Sequence, residues 1–487
     1  MARIVWRIVE GTDPATVCAL TFNRRAAEEL QERVDAAAAE IGLQPGSVRV
    51  RTFHALGREI LMDAGVDVRR IVERGEVLDD ISAGQLTAAG HRWLDEAFTR
   101  LKLDPDRGPP AEDLATHAAF SAYTAELRRR RSIDLDDLIA QAVPALLDDT
   151  ALLERWRGRC ATLFIDEAQD LDRSQLELAL TLSGERRDVF LVGDDDQTIY
   201  AWRLADVRRV LGLASRLPGL RRVDLETNHR SAPEIVARAA RLVAHNRERF
   251  DKRILSSSAS SGEVRLAPDP GDDVSRARRL LETWARLDRG THAVLARTNR
   301  ELAPYAAVAG EIGMAVEVAE DGLLTRDDDA DALVRRGAAL AEEGRMPPLL
   351  ATRMAARELG SSTSVAGSVL SWAAAHRDFS TFVAAWQRAK RPQREPTATP
   401  EDTVTLATVH ATKGLEWDHV ACVGFDANAF PAARALAEAT EPERVLEEER
   451  RLAYVAWTRA RTTLTIVYDP AEPSRFLLDA FDYSELV

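Results

Sequence analysis

Residues 163–170 read LFIDEAQD, a β-prone apolar run that ends in two adjacent carboxylates, Asp166 and Glu167. A helical pattern follows from Asp172. A buried strand, a polar turn and a helix in that order describe one unit of a parallel sheet covered by helices. In such sheets ligands collect beyond the carboxyl ends of the strands, which is where the two acids fall. The competing reading is an N-cap cluster that opens the helix near Asp172.

The same alternation extends outward. Residues 15–22, 48–53, 162–166 and 188–193 are short β-rich runs, and residues 24–41, 134–148 and 172–183 have helical periodicity. Between Gly57 and Arg131 the pattern is only helical, which predicts a helical insertion. A second α/β series begins near residue 221 with RRVDLE and continues with strands at 293–298, 404–409, 419–424 and 463–468. An Ala-rich, strand-poor stretch from about 326 interrupts it and ends in KRPQREPTATPED, a Pro-rich charged linker. Two α/β lobes result. The first comprises 1–54 and 133–217 with an insertion at 55–132. The second comprises 218–325 and 400–487, with a short helical insertion and linker at 326–399.

With 45% apolar and 30% charged residues the chain has the composition of a folded globular protein. Its formal charge of −14 argues against a uniformly basic nucleic-acid coat but leaves room for a local basic groove. Three cysteines, Cys18, Cys160 and Cys422, cannot form a disulfide framework, and each lies in or beside an apolar run that reads as buried. No apolar stretch approaches the ~20 residues that span a membrane, and the N-terminus lacks a signal-peptide pattern. A reduced, cytoplasmic setting is therefore expected.

A second motif, LVGDDDQTIYAWR at 191–203, again ends a strand in carboxylates and adds an amide, Gln197. At a sheet edge an amide can bond a terminal phosphate or the water attacking it. Tyr200 and Trp202, beside Arg203, offer flat faces for unpaired bases; taken alone they also suit a core.

Together with ALTFNRRAAEEL, RTFHALG, DLDDL, ETNHRS, VHATKGLEW and EEERRLAYVAWTRA, in that family's order from residue 19 to residue 460, these motifs resemble superfamily 1 helicases of the UvrD/Rep/PcrA type. The resemblance implies two RecA-like lobes, ATP and Mg²⁺ as cofactors, and 3′–5′ movement on single-stranded DNA with single-strand/duplex junctions as substrates, in repair, recombination or replication restart. Asp166 would hold Mg²⁺ and Glu167 would act as the base-like carboxylate, reaching the ion through water. Gln197 would sense the γ-phosphate, and Arg230 and Arg459 would serve as arginine fingers. Gly414 and Glu416, in KGLEW, would lie at the nucleotide. Phe22, Asn23, Thr52, His54, Tyr200, Trp202, Arg203 and His410 would line the single-strand track. Without that context each lone Arg or His reads equally as an ion pair or a satisfied core group.

One family element is missing from the sequence. A P-loop needs Gly-Lys-Ser/Thr, yet the four lysines, Lys102, Lys252, Lys390 and Lys413, follow Leu101, Asp251, Ala389 and Thr412. RIVWRIVEG at 3–11 resembles the helix that leaves the phosphate cradle, so the first lobe is expected to be truncated at its N-terminal side. The strand feeding the cradle would be absent, leaving unpaired sheet edges. A nucleotide-independent single-strand-binding or regulatory module is the alternative function. The arginine runs at 128–131 and 388–394 could touch backbone phosphates or be solvated helix ends.

Overall fold

The computed structural model describes residues 1–110, 112–185, 188–258, 261–285, 290–318, 328–344, 346–360, 366, 369–370, 372–373, 376–390 and 403–486. Most of the linker, 391–402, lies outside them. The chain forms two compact units, Met1–Arg221 and Arg222–Val487.

The first unit is built on a four-stranded sheet of β1 (Val17–Thr21), β2 (Arg49–Thr52), β3 (Thr162–Ile165) and β4 (Val189–Leu191). Its order is β2-β1-β3-β4 and every pair is parallel. The apolar runs of β1 and β3 are buried throughout because helices cover both faces. One face packs Leu20, Leu163 and Ile165 against Phe53, Ile60, Trp156 and Leu176. The other packs Ala19 and Phe164 against Ile4 of helix Ala2–Val9, the helix expected from RIVWRIVEG. The insertion is helical: Arg74–Ser82, Ala88–Leu103 and Leu114–Arg130 close over a small core of Val77, Phe98 and Tyr123.

An ionic cluster ties that insertion back to the sheet unit. Asp134, in the DLDDL block, accepts from Tyr123 Oη at 2.6 Å and pairs with Lys102 Nζ at 2.8 Å and Arg74 Nη2 at 3.0 Å. Burial alone would raise its pKa. Lys102 and Arg74 overcome that and hold the carboxyl down at about 2. The helix expected over 134–148 is broken at Gln141 into Asp137–Ala140 and Ala142–Asp148. Pro144, on the third residue of the second piece, has no N–H to continue a ladder from the first.

The second unit carries a six-stranded parallel sheet. Its strands are β7 (Glu263–Pro268), β8 (His292–Ala296), β9 (Ala315–Val318), β10 (Thr403–Thr408), β11 (Trp417–Cys422) and β12 (Ala460–Tyr468), in the order β7-β12-β11-β8-β10-β9. Helices Asp273–Trp284, Asn299–Ile312, Asp328–Gly344 and Phe379–Lys390 contribute to the large core on one face. A capping box opens Asn299–Ile312: Thr298 and Glu301 satisfy each other's backbone N–H groups. The strands β7 and β9 were not foreseen, since both lie at sheet edges with part-exposed residues and no continuous apolar run.

The expectation of a strand at RRVDLE is corrected. Among the described residues no strand forms over 221–226; β5 (Thr227–Asn228) begins just after it and pairs with β6 (Leu255–Ser256). Val223 and Leu225 are 68% and 89% exposed. A β-rich segment becomes a strand only when a neighbour takes its hydrogen bonds along its length; here the backbone contact is at its last residue, where the Glu226 carbonyl accepts from Leu255 N at 2.8 Å. The first sheet shows the related feature: among the described residues β4 pairs only with β3, and Phe190 and Val192 are exposed. All three cysteines are buried and free. Among the described residues no helix is long and apolar enough to cross a membrane.

Candidate functional site

Because β1 to β4 run parallel, the residues after each strand gather at one edge of the first sheet. Phe22 and Asn23 follow β1, Thr52 ends β2 and His54 follows it, Asp166 and Glu167 follow β3, and the segment to Gln197 follows β4. Glu167 adopts a left-handed backbone with φ 54°, a conformation that costs energy for any residue with a Cβ and is held here by the 3-10 turn Ala168–Asp170 that it opens. Asp166 Oδ1 accepts the Glu167 N–H at 3.1 Å.

After β4 the chain turns through Asp195–Gln197. Gln197 Nε2 donates to Asp194 Oδ2 at 2.8 Å, which fixes the amide at the sheet edge. Asp194, Asp195 and Asp196 bring carboxylate oxygens within 4.8 Å of one another, with Asp195 and Asp196 buried.

The aromatics form one group. Tyr200 stacks on Phe22, Trp202 meets Tyr200 edge-on at 6.1 Å, and the Arg203 guanidinium lies 4.8 Å from the Trp202 ring centroid and 5.6 Å from that of Phe22. Trp202 is 62% exposed, so its face is open to solvent rather than spent in a core. His54 borders this group, and burial is the main cause that lowers its pKa, with Arg203 adding to it. Two other residues of the expected track already serve the fold. Asn23 Oδ1 accepts from Ala26 N at 2.8 Å and Thr52 Oγ1 from Ala55 N at 3.2 Å, each capping the helix behind it.

In the second unit Arg230, Gly414, Glu416 and Arg459 converge. Arg230 Nε pairs with Glu416 Oε2, and its Nη1 donates to the Thr458 carbonyl at 3.2 Å. Arg459 is 1% exposed; its Nε donates to Val455 O at 3.1 Å and its Nη1 to Leu415 O at 3.3 Å. Gly414 turns the chain with φ 85° just before Glu416. His410 lies in the turn after β10, and burial, helped by Arg297, pushes its pKa down to about 4. Both histidines of the expected track are therefore neutral near pH 7 and can offer hydrogen bonds but no charge.

Two partners escaped the sequence reading. Arg461 places two N–H groups on Glu416 Oε1, at 2.6 and 3.1 Å, and Gln169 donates to Glu167. Gln169 sits two residues after Glu167, inside LFIDEAQD, and Arg461 two after Arg459, one residue beyond the end of EEERRLAYVAWTRA, and nothing in their spacing says what they touch.

A model of the UvrD/REP helicase N-terminal domain matches residues 1–105 and 85–218, and one of the UvrD-like helicase C-terminal domain matches 377–470. The ATP-dependent DNA helicase UvrD2 of Mycobacterium tuberculosis (strain ATCC 25618 / H37Rv) is 30% identical over 525 residues, covering 95% of this chain and 74% of that protein.

The chain belongs to the UvrD-like helicase family.

Other members are more distant. DNA helicase II of Escherichia coli K12 is 26% identical over 590 residues, covering 96% of this chain and 80% of the relative. The ATP-dependent DNA helicase PcrA of Leuconostoc citreum is 26% identical over 604 residues, covering 96% and 78%. Both units of this UvrD-like chain are α/β with parallel sheets, as membership requires.

Proposed function

We propose that this chain is an ATP-dependent DNA helicase or translocase that moves 3′–5′ on single-stranded DNA and acts at single-strand/duplex junctions in repair, recombination or replication restart. The observation that carries this reading is one sheet edge of the first unit holding Asp166, Glu167 and Gln197 together with an open aromatic group, Phe22, Tyr200 and Trp202. Phosphate chemistry and base stacking need those side chains, and here they share a scaffold.

The donor set fits magnesium, since hard carboxylate oxygens stand at a strand end; Asp166 would hold the ion and Glu167 would reach it through water. Bound there, the ion would neutralise charge on the transferring phosphoryl group. Glu167 would orient the attacking water and take its proton. Gln197 would report whether a terminal phosphate is present. In the second unit, Glu416 holds Arg230, so Arg230 must give up this ion pair before its fork can face a phosphate. Arg459 is buried and bonded to main-chain carbonyls, so it too would have to move to reach a phosphate. The phosphate cradle is the part that does not fit, since no lysine of the sequence follows a glycine.

The test is ATP hydrolysis by the 487-residue chain at high ATP, with and without single-stranded DNA. Stimulation by DNA is expected, and Glu167→Gln should abolish turnover while sparing nucleotide binding. No stimulation would sink the proposal. The second reading, a nucleotide-independent single-strand-binding or regulatory module, requires DNA binding with steep salt dependence and no response to ATP, and tight ATP binding refutes it.

A further inference from the structure

Gln169 is 1% exposed. A buried primary amide is tolerated only when both its ends are bonded. Here Nε2 donates to Glu167 Oε2 at 2.6 Å, and Oε1 accepts the backbone N–H of Asp194 at 3.1 Å. Only this orientation works, because the carboxylate needs a donor and the backbone N–H needs an acceptor. Asp194 passes the connection on: its Oδ2 accepts from Gln197 and its Oδ1 from the Asp196 N–H at 3.2 Å. One chain of hydrogen bonds therefore runs from Glu167 through Gln169 and Asp194 to Gln197, and Tyr200 lies three residues farther on.

Gly193 makes the space. A Cβ there would stand 2.6 Å from Gln169 Oε1 and 3.3 Å from the Gln169 backbone nitrogen. Any larger residue would drive the amide out of its place. The strained backbone of Glu167 adds to the point, since a carboxylate on a left-handed residue depends on its partners for direction.

We propose that Gln169 is a positioning residue that ties Glu167 to the Asp194–Trp202 segment, so that a nucleic acid strand engaging Tyr200 and Trp202 re-aims the Glu167 carboxylate. The proposal rests on the helicase reading above and names the side chain that would join its two activities. Asn is one methylene too short to span both partners. Glu can still accept from Asp194 but cannot donate, and it sets a second negative charge against Glu167.

Hydrogen exchange read by mass spectrometry on the full chain, with and without oligo(dT), tests it. In the wild type, oligo(dT) should slow exchange in peptides covering both 193–203 and 166–170. In Gln169→Ala the first change should remain and the second vanish, with oligo(dT) affinity unchanged. Gly193→Ala should behave alike, and the double variant should be no worse than either single one. A DNA-induced change at 166–170 that survives in Gln169→Ala overturns the proposal. A chain that fails to bind oligo(dT) refutes the helicase reading instead, and the ligand-free comparison then decides the bridge. Exchange around Asp194 should rise about tenfold in Gln169→Ala and stay protected in Gln169→Glu; equal exchange in all three overturns it.

Discussion

The ring of Tyr200 lies on that of Phe22, with centroids 5.4 Å apart and planes 20° from parallel. The two residues come from the ends of different strands, β4 and β1, and their stack fixes the base on which Trp202 stands edge-on. Trp202→Ala should weaken single-strand binding by about 1–3 kcal/mol, the worth of one base stack. Fluorescence anisotropy with oligo(dT) measures it. Tyr200→Ala should cost at least as much, because it also frees Phe22. Thermal stability should hardly change for Trp202→Ala, since that side chain is mostly in solvent.

Asp134 anchors the helical insertion. Among the described residues, Asp134→Ala would leave Lys102, 6% exposed, paired with Asp137 alone, and Arg74, 9% exposed, with Asp95 and Asp136. A loss of about 1–3 kcal/mol is expected, below that of a buried charge left with no partner, and urea unfolding reads it. The carboxyl titrates near 2 in the fold and near 4 unfolded. Its contribution is complete above pH ~4 and fades as pH falls toward 2.

Asp172 behaves in the opposite sense. It caps helix Arg173–Ser183 by accepting the Gln175 N–H at 2.8 Å, but burial raises its pKa to about 7. Between about pH 4 and 7 the folded state keeps a proton that the unfolded chain has released, so stability falls as pH rises through that window. Asp172→Asn keeps a good cap without the charge. At pH 8 the variant should melt higher than the wild type, and the advantage should vanish near pH 4.

The outer edge of β4 is the third stability element. Phe190 is 41% and Val192 44% exposed beside backbone groups that no strand of the described residues pairs. Exposed apolar edges promote association. Phe190→Lys should lower light scattering on concentration or mild heating, at little cost to the melting temperature.

The order of strands and helices in the first lobe, its parallel sheet, the burial of Cys18 and Cys160 and the positions of Asp166, Glu167 and Gln197 beyond strand ends could all be read from residues 15–203 because apolar periodicity and turn chemistry are local. The second lobe was legible in outline for the same reason. What the sequence could not supply was partnership. The RRVDLE run has the composition of a strand, but pairing is decided by what lies alongside. Asn23 and Thr52 lie in motif positions, yet in space each closes a helix. Gln169 reads as one more polar residue of DEAQD until β3 and β4 lie side by side and bring Asp194 to its amide. Hydrogen bonds between residues far apart in the chain depend on ångström-scale placement, which sequence spacing does not encode and the folded sheet does.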